Sequence, residues 1–178
     1  SKLEMKNSFS NKDKIFIAGA SGMVGKSLIK KMSKIGYSNL LTPSSKELNL
    51  LEQQSVKNFF EHHEFESIIH LAGTIGGIRD SIARPVEFMY DNLTMAMNII
   101  KMGHNFGIKR LICMGSSCIY PLHSKQPMRE EYLLTGPFEP TNEGYSIAKI
   151  GAIKLCEFMY KQHNLNYFCL IPPIYLSK

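Results

Sequence analysis

Tyr145 and Lys149 stand four residues apart in the run Tyr145-Ser146-Ile147-Ala148-Lys149. On a helix that spacing puts both side chains on one face. A fixed ammonium there eases a phenol toward giving or taking a proton, so the pair reads as acid–base machinery. Upstream, Ser116-Ser117-Cys118-Ile119-Tyr120-Pro121 adds hydroxyls and a thiol in a region rich in turn-forming residues.

A third constellation sits near the start. Gly19-Ala20-Ser21-Gly22-Met23-Val24-Gly25 directly follows a short apolar run and opens a helical pattern. In that context the first glycine permits a tight turn, the second lets the backbone approach a pyrophosphate, and the third packs helix on strand. The helix N-terminus then faces the anion, and the whole run is the expected dinucleotide-binding turn. The choice of nicotinamide cofactor rests on the end of the second strand, where an NAD site wants an Asp or Glu for the ribose 2′-hydroxyl. Here Pro43-Ser44-Ser45-Lys46 precedes the first acid, Glu47. A lysine with two hydroxyls suits a 2′-phosphate better, so NADP(H) is the expected cofactor with Lys46 beside it; a solvent-facing Lys46 is the alternative.

These residues need a scaffold, and the apolar pattern supplies one. Ile15 to Ala18, Leu40 to Thr42, Ser67 to Leu71, Arg110 to Met114 and Tyr167 to Ile171 read as buried strands. Between them Met23 to Ile35, Gln53 to His63, Pro85 to Phe106 and Glu143 to His163 carry apolar residues at helical spacing. The alternation predicts an α/β fold, a Rossmann-type doubly wound parallel sheet. Two long segments, Gly73 to Arg84 and Ser116 to Asn142, read as loops after strand ends, where ligands of such sheets bind. Residues 1–13 form a polar lead without period, and 14–178 a single NAD(P)-binding domain.

Composition narrows the field. At 178 residues and 44% hydrophobic, the chain has room for one real core. No apolar stretch approaches the roughly 18 residues of a membrane span and no apolar signal core is present, so a soluble cytoplasmic protein is expected. Cys113, Cys118, Cys156 and Cys169 form no Cys-x-x-Cys pair, and His62 and His63 are adjacent on a helix, so neither metal nor disulfide is expected. The formal charge of +6 resides mainly in the lead and on one helix face, Lys26, Lys30 and Lys34, without interleaved aromatics, so no nucleic-acid partner is expected.

With Ser116 just after a strand and Tyr145-x-x-x-Lys149 opening a long helix, the chain resembles the extended short-chain dehydrogenase/reductases from Lys14 to about Ile171. More narrowly, Gly22-Met23-Val24-Gly25, Ile75-Gly76-Gly77-Ile78, Gly115 to Pro121, Lys125-Gln126-Pro127-Met128 and Glu139-Pro140-Thr141-Asn142-Glu143 are similar to the GDP-L-fucose synthase family. That resemblance implies an oxidoreductase and isomerase that takes a GDP-sugar, GDP-4-keto-6-deoxy-D-mannose, inverts C3 and C5, and reduces C4 with NADPH to give GDP-L-fucose. A ketone at C4 acidifies the protons on both neighbouring carbons, so a base and an acid on opposite faces can exchange them through enolates. By the same resemblance Cys118 is the base, Tyr145 protonates the C4 alkoxide, and Ser116 hydrogen-bonds that oxygen. Lys149 would hold the nicotinamide ribose and lower the phenol pKa from roughly 10. Met114, Gly115, Ser116 and Ser117 would line the nicotinamide side. A homodimer through helices 85–106 and 143–163 is implied as a four-helix bundle. Met89, Met95, Met97, Met102 and Met159 suit such a surface or a core, and helical spacing leaves both open.

Beyond the last strand the pattern departs. The resemblance implies a Pro-Thr-Asn turn, a histidine acid and a substrate domain, whereas this chain reads Pro172-Pro173-Ile174-Tyr175-Leu176-Ser177-Lys178. One base lost from codons for Pro-Thr-Asn-Ile-Phe yields Pro-Pro-Ile-Tyr, so a frameshift and a fold lacking most of its C-terminal substrate domain are the expectation. Two alternatives stay beside the synthase reading. One is a non-catalytic NADP-binding remnant; the other is a different sugar-nucleotide epimerase or reductase on the same fold.

Overall fold

Ile15–Ala18 and Ser67–His70 are buried at every position, the pattern of strands covered on both faces. They are the middle of a parallel sheet. In the computed structural model, which describes residues 9–115 and 133–171, the chain runs β1 (Ile15–Ala18), α1 (Met23–Lys34), β2 (Leu40–Leu41), α2 (Gln53–His62) and β3 (Ser67–His70). It continues with α3 (Ile78–Ala83), α4 (Pro85–Asn105), β4 (Arg110–Met114), a 3-10 turn (Pro140–Asn142), α5 (Glu143–His163) and β5 (Asn166–Leu170). All pairings are parallel, in the order β2-β1-β3-β4-β5. The order reverses between β1 and β3, which opens a crevice at their C-terminal ends.

Each face of the sheet has its own core. On one, Phe16, Ile68, Leu111 and Tyr167 pack under α2, α4 and α5. There the Phe16 ring lies 4.8 Å from Phe59 and 5.3 Å from Phe65. On the other, Ile15, Ile17 and Ile69 pack with Met32, Leu28 and Ile29 of α1. Of the five methionines open to either reading, Met95, Met102 and Met159 are buried and Met89 is exposed.

The elements match the apolar pattern to within one residue at each end, with one added helix. β2 stops at Leu41, and β5 starts at Asn166, one residue earlier than expected. The segment Gly73 to Arg84, expected as a loop, contains α3. Six residues with Ile78 and Ile82 exposed carry no buried stripe to read. The helix is instead closed by Arg84, whose N–H donates to the Asp80 carbonyl at 2.9 Å. Its guanidinium also meets both oxygens of the Asp80 carboxylate, at 2.6 and 2.7 Å. Of the other expected loop, residues 116–132 lie outside the described residues, and its end forms the 3-10 turn before α5. The polar lead reaches the body at Phe9 and Asp13. Tyr37 donates to the Phe9 carbonyl at 3.1 Å, and the Asp13 carboxylate meets Arg110 of β4 at 2.8 Å.

Candidate cofactor and catalytic site

The glycine run forms the turn its spacing predicts. Gly19 has φ +84°, and a Cβ there would stand 2.5 Å from the Ala72 nitrogen, so both conformation and space demand glycine. A Cβ at Gly25 would fall 2.3 Å from the Gly19 carbonyl oxygen, which is how closely α1 packs on the turn. Gly22 is the N-cap of α1 and provides no side-chain cap, so the first backbone N–H groups of the helix have no capping oxygen from their own chain start. Ser21, Met23 and Val24 are exposed beside it, and Ala20 is buried. A dinucleotide pyrophosphate suits this terminus, because its oxygens satisfy such donors.

From the turn a groove of about 420 Å³ extends across the crevice, walled by Gly19 to Gly22, Pro43, Ser45, Leu48 to Leu51 and Leu71 to Ile75. Asn98 fastens one wall by donating to the Leu50 carbonyl at 2.9 Å. After β2, Glu47 is occupied locally. Its carboxylate accepts the Ser44 N–H at 2.6 Å. That bond, together with the Ser44 hydroxyl, holds the Glu47 carboxyl below its ordinary pKa. The acid that could have reached a ribose hydroxyl is thus committed to its own turn. Lys46 is exposed on that turn, outside the groove wall, while Ser45 is part of it.

Tyr145 and Lys149 lie in the first turns of α5, both half-buried. The helix start is set by Glu139, whose carboxylate accepts the Thr141 N–H at 3.0 Å and its hydroxyl, shaping the 3-10 turn that leads into α5. The Lys149 ammonium stands 5.4 Å from the Tyr145 ring centroid. It also looks onto Gly73 at the end of the groove, where a Cβ would come within 4.0 Å of Nζ and 2.7 Å of Asn92 Oδ1. At the end of β4, Met114 and Gly115 line a small cavity together with Lys149 and Asn92. The remaining expected site residues, Ser116, Ser117 and Cys118, lie outside the described residues.

Asn92 escaped sequence reasoning. It is 4% exposed on α4. Its Oδ1 accepts the Thr74 N–H at 3.0 Å, while Nδ2 donates to the Thr74 carbonyl at 3.0 Å and the Phe88 carbonyl at 2.6 Å. It therefore holds the Gly73-Thr74 backbone where the groove meets Lys149. The available signal was an asparagine on the apolar stripe of a long helix, a position that requires a partner. His70 lines the small cavity beside Lys149 and Asn92. Burial, then the charge of Lys149, pushes its pKa down to about 3, so the imidazole is neutral.

Comparison with known proteins follows the same outline. A model described as the NAD dependent epimerase/dehydratase family matches residues 15–177. A GDP-L-colitose synthase of Yersinia pseudotuberculosis is 41% identical over 160 residues, 89% of this chain and 52% of its own length. A GDP-L-fucose synthase of Escherichia coli K12 is 40% identical over 162 residues, 91% of this chain and 50% of its own. Among solved structures, a GDP-D-glycero-L-gluco-heptose synthase from Campylobacter jejuni, determined in the presence of NADPH, superposes with a TM-score of 0.88 at 32% identity. That match covers 92% of this chain and 48% of the other. The chain spans about half the length of the curated relatives it matches.

Proposed function

The chain belongs to the NAD-dependent epimerase/dehydratase family, and from that premise we propose that it carries the NADP(H) site and the Tyr145/Lys149 pair of a GDP-sugar epimerase/reductase. The proposed reaction is 3,5-epimerisation and 4-reduction of GDP-4-keto-6-deoxy-D-mannose to GDP-L-fucose. One observation carries the reading: the groove that begins at the Gly19–Gly22 turn ends where Lys149 stands over the Tyr145 ring. The cofactor, when bound, supplies the hydride that reduces C4.

The chain's own residues do the rest. The Gly19 to Gly25 turn, with Ala20, Ser21, Met23 and Val24, presents backbone N–H groups to the pyrophosphate. Ser45, with Lys46 at the rim, takes a 2′-phosphate in the place where Glu47 is withdrawn. Lys149 holds the nicotinamide ribose and steadies charge on Tyr145, whose phenol gives its proton to the C4 oxygen. Ser116 binds the same oxygen, and Cys118 moves the protons at C3 and C5. Met114, Gly115 and Ser117 line the nicotinamide side.

A homodimer is proposed through the outer faces of α4 and α5, where Val86, Tyr90 and Phe158 are exposed. The proposed compartment is the cytoplasm; among the described residues no helix is long and apolar enough to cross a membrane. A second reading, NADP binding without turnover, applies to these 178 residues taken alone, which span about half the length of the curated relatives. Binding energy from the GDP portion orients the sugar only where residues grip it. The 178 residues as they stand are therefore expected to bind NADPH without appreciable product formation. The test is a fluorescence titration with NADPH against NADH, then addition of GDP-4-keto-6-deoxymannose. NADPH binding that is tighter than NADH supports the cofactor site, and oxidation on adding the sugar separates the synthase from the remnant. Absence of binding to either nucleotide sinks both readings.

A further inference from the structure

Sequence spacing offers no metal-ligand pattern, yet the fold gathers three of the cysteines. Cys113 lies on β4, Cys169 is its registered partner on β5, and Cys156 comes from α5, which covers both strands. Their Sγ atoms all lie within 4.8 Å of one another, with those of Cys113 and Cys156 3.9 Å apart. Sulfurs that share one tetrahedral Zn2+ at about 2.3 Å stand about 3.8 Å from each other, so little rearrangement separates the thiols from a coordination shell. All three are free thiols.

The row extends to β3. His70 is registered with Cys113 as Cys113 is with Cys169, so the three side chains share one face of the sheet. Its ring nitrogens lie outside the cluster of three sulfurs, so that sharing an ion with them takes a movement of the ring toward Cys113. His70 is 3% exposed. Its Nδ1 is buried and has no hydrogen-bond partner among the described residues. With Cys113, Cys169 and Lys149 it lines a cavity of about 10 Å³, room for roughly one atom-sized guest. A buried imidazole nitrogen left unpaired costs free energy that a bound cation would recover.

We propose that Cys113, Cys156 and Cys169, with His70 as fourth donor, form a binding site for a thiophilic d10 cation of the Zn2+ class. Three sulfurs and an imidazole with no carboxylate disfavour Mg2+ and Ca2+, which take oxygen ligands. On binding, each thiol gives its proton to solvent as its metal–sulfur bond forms. The Lys149 ammonium on the cavity wall offsets the surplus negative charge of three thiolates around a divalent ion. Such an ion ties β3, β4 and β5 to α5, about two helical turns from Lys149. It thereby fixes the helix that presents the Tyr145/Lys149 pair. The site stands independently of the function proposed above.

The test uses the full chain, reduced and stripped with chelator, titrated with Cd2+ as a spectroscopic probe. The expected result is an ultraviolet sulfur-to-Cd2+ charge-transfer band that saturates at about one ion per chain, is displaced by Zn2+, and accompanies a rise in Tm. Cys118→Ser, which leaves the three thiols in place, keeps the band. Cys169→Ser and Cys156→Ser each lower its amplitude by about one third or more, as one of three sulfur ligands is lost. Far-ultraviolet circular dichroism establishes that at least one of the two is folded. His70→Gln leaves the amplitude and weakens Zn2+ competition. No saturable band at micromolar Cd2+, or an undiminished band in a folded Cys169→Ser or Cys156→Ser chain, overturns the site; unchanged Zn2+ competition in His70→Gln overturns the fourth donor.

Discussion

Gly22 and Gly25 differ in what a methyl group would meet. At Gly22 the nearest atom is the Gly19 carbonyl oxygen at 3.5 Å, an ordinary contact, while at Gly25 the same oxygen would stand 2.3 Å away. Close packing therefore demands glycine at the second position and not at the first, where the proposed role is cofactor approach. Gly25→Ala is expected to cost about 1–3 kcal/mol of stability through overpacking, lowering Tm by about 2–4 °C per kcal/mol. Gly22→Ala is expected to leave stability within about 0.5 kcal/mol and to weaken NADPH binding, since the methyl projects where the pyrophosphate comes closest. Thermal melts beside NADPH titrations separate the two effects, and equal melting temperatures for both variants would count against the division of roles. Asn92 tests the opposite end of the groove. Asn92→Leu leaves the Thr74 N–H without this acceptor and the Thr74 carbonyl without this donor, while the Phe88 carbonyl keeps the backbone bond of its helix. Each part-buried group left so costs up to about 1–3 kcal/mol. Urea unfolding should show a midpoint well below wild type, and folded Asn92→Leu should bind NADPH more weakly.

At the scale of elements, legibility followed burial. β1 and β3 are buried throughout, and the long helices carry wide apolar stripes, so periodicity placed them within a residue or two. α3 was illegible because an ion pair between exposed groups, not an apolar stripe, closes it. The tie of the N-terminal stretch was equally invisible, since Asp13 and Arg110 are far apart in sequence. Their pair is less than one-fifth exposed, Asp13 at 17% and Arg110 at 18%, and the Arg110 guanidinium also lies 5.4 Å from the Phe9 ring centroid. Sequestered from water, such a pair is screened less than a surface bridge, so its loss is felt more. Asp13→Ala is accordingly expected to destabilise the chain by about 1–3 kcal/mol. Lys57→Ala, which breaks an exposed pair on α2, should change stability by less than about 1 kcal/mol. Chemical denaturation of the two variants makes the comparison, and a silent Asp13→Ala would show that residues 9–13 merely rest on the sheet.

Across the whole molecule, the local geometry of parts of the candidate site that lie on one run was readable: the glycine turn, and Tyr145 with Lys149 on one helix face. The parts assembled by topology were not, because Asn92 reaches back to Thr74, and Cys113, Cys156 and Cys169 converge from two strands and a helix. Topology also leaves the two faces of the sheet unequally covered among the described residues. Three helices cover one face as far as β5, whereas α1 covers the other over β2, β1 and β3. The consequence shows in β5, where Tyr167 is buried while Phe168 and Leu170, pointing the other way, are 36% and 47% exposed. Along this strand, paired only with β4 among the described residues, runs a groove of about 580 Å³ walled by Ile153, Tyr160, Phe168 and Leu170. An apolar face beside an unpaired strand edge favours association with other chains. Concentration-dependent self-association through this face is therefore expected for these 178 residues taken alone. The double substitution Phe168→Lys with Leu170→Lys should suppress it, because charges on the strand face penalise stacking. These side chains are already exposed, so Tm should move by no more than about 2 °C. Sedimentation velocity over a concentration series reads the outcome. Association that persists unchanged in the lysine variant would place the sticky surface elsewhere, on the outer faces of α4 and α5, where Val86, Tyr90 and Phe158 are exposed.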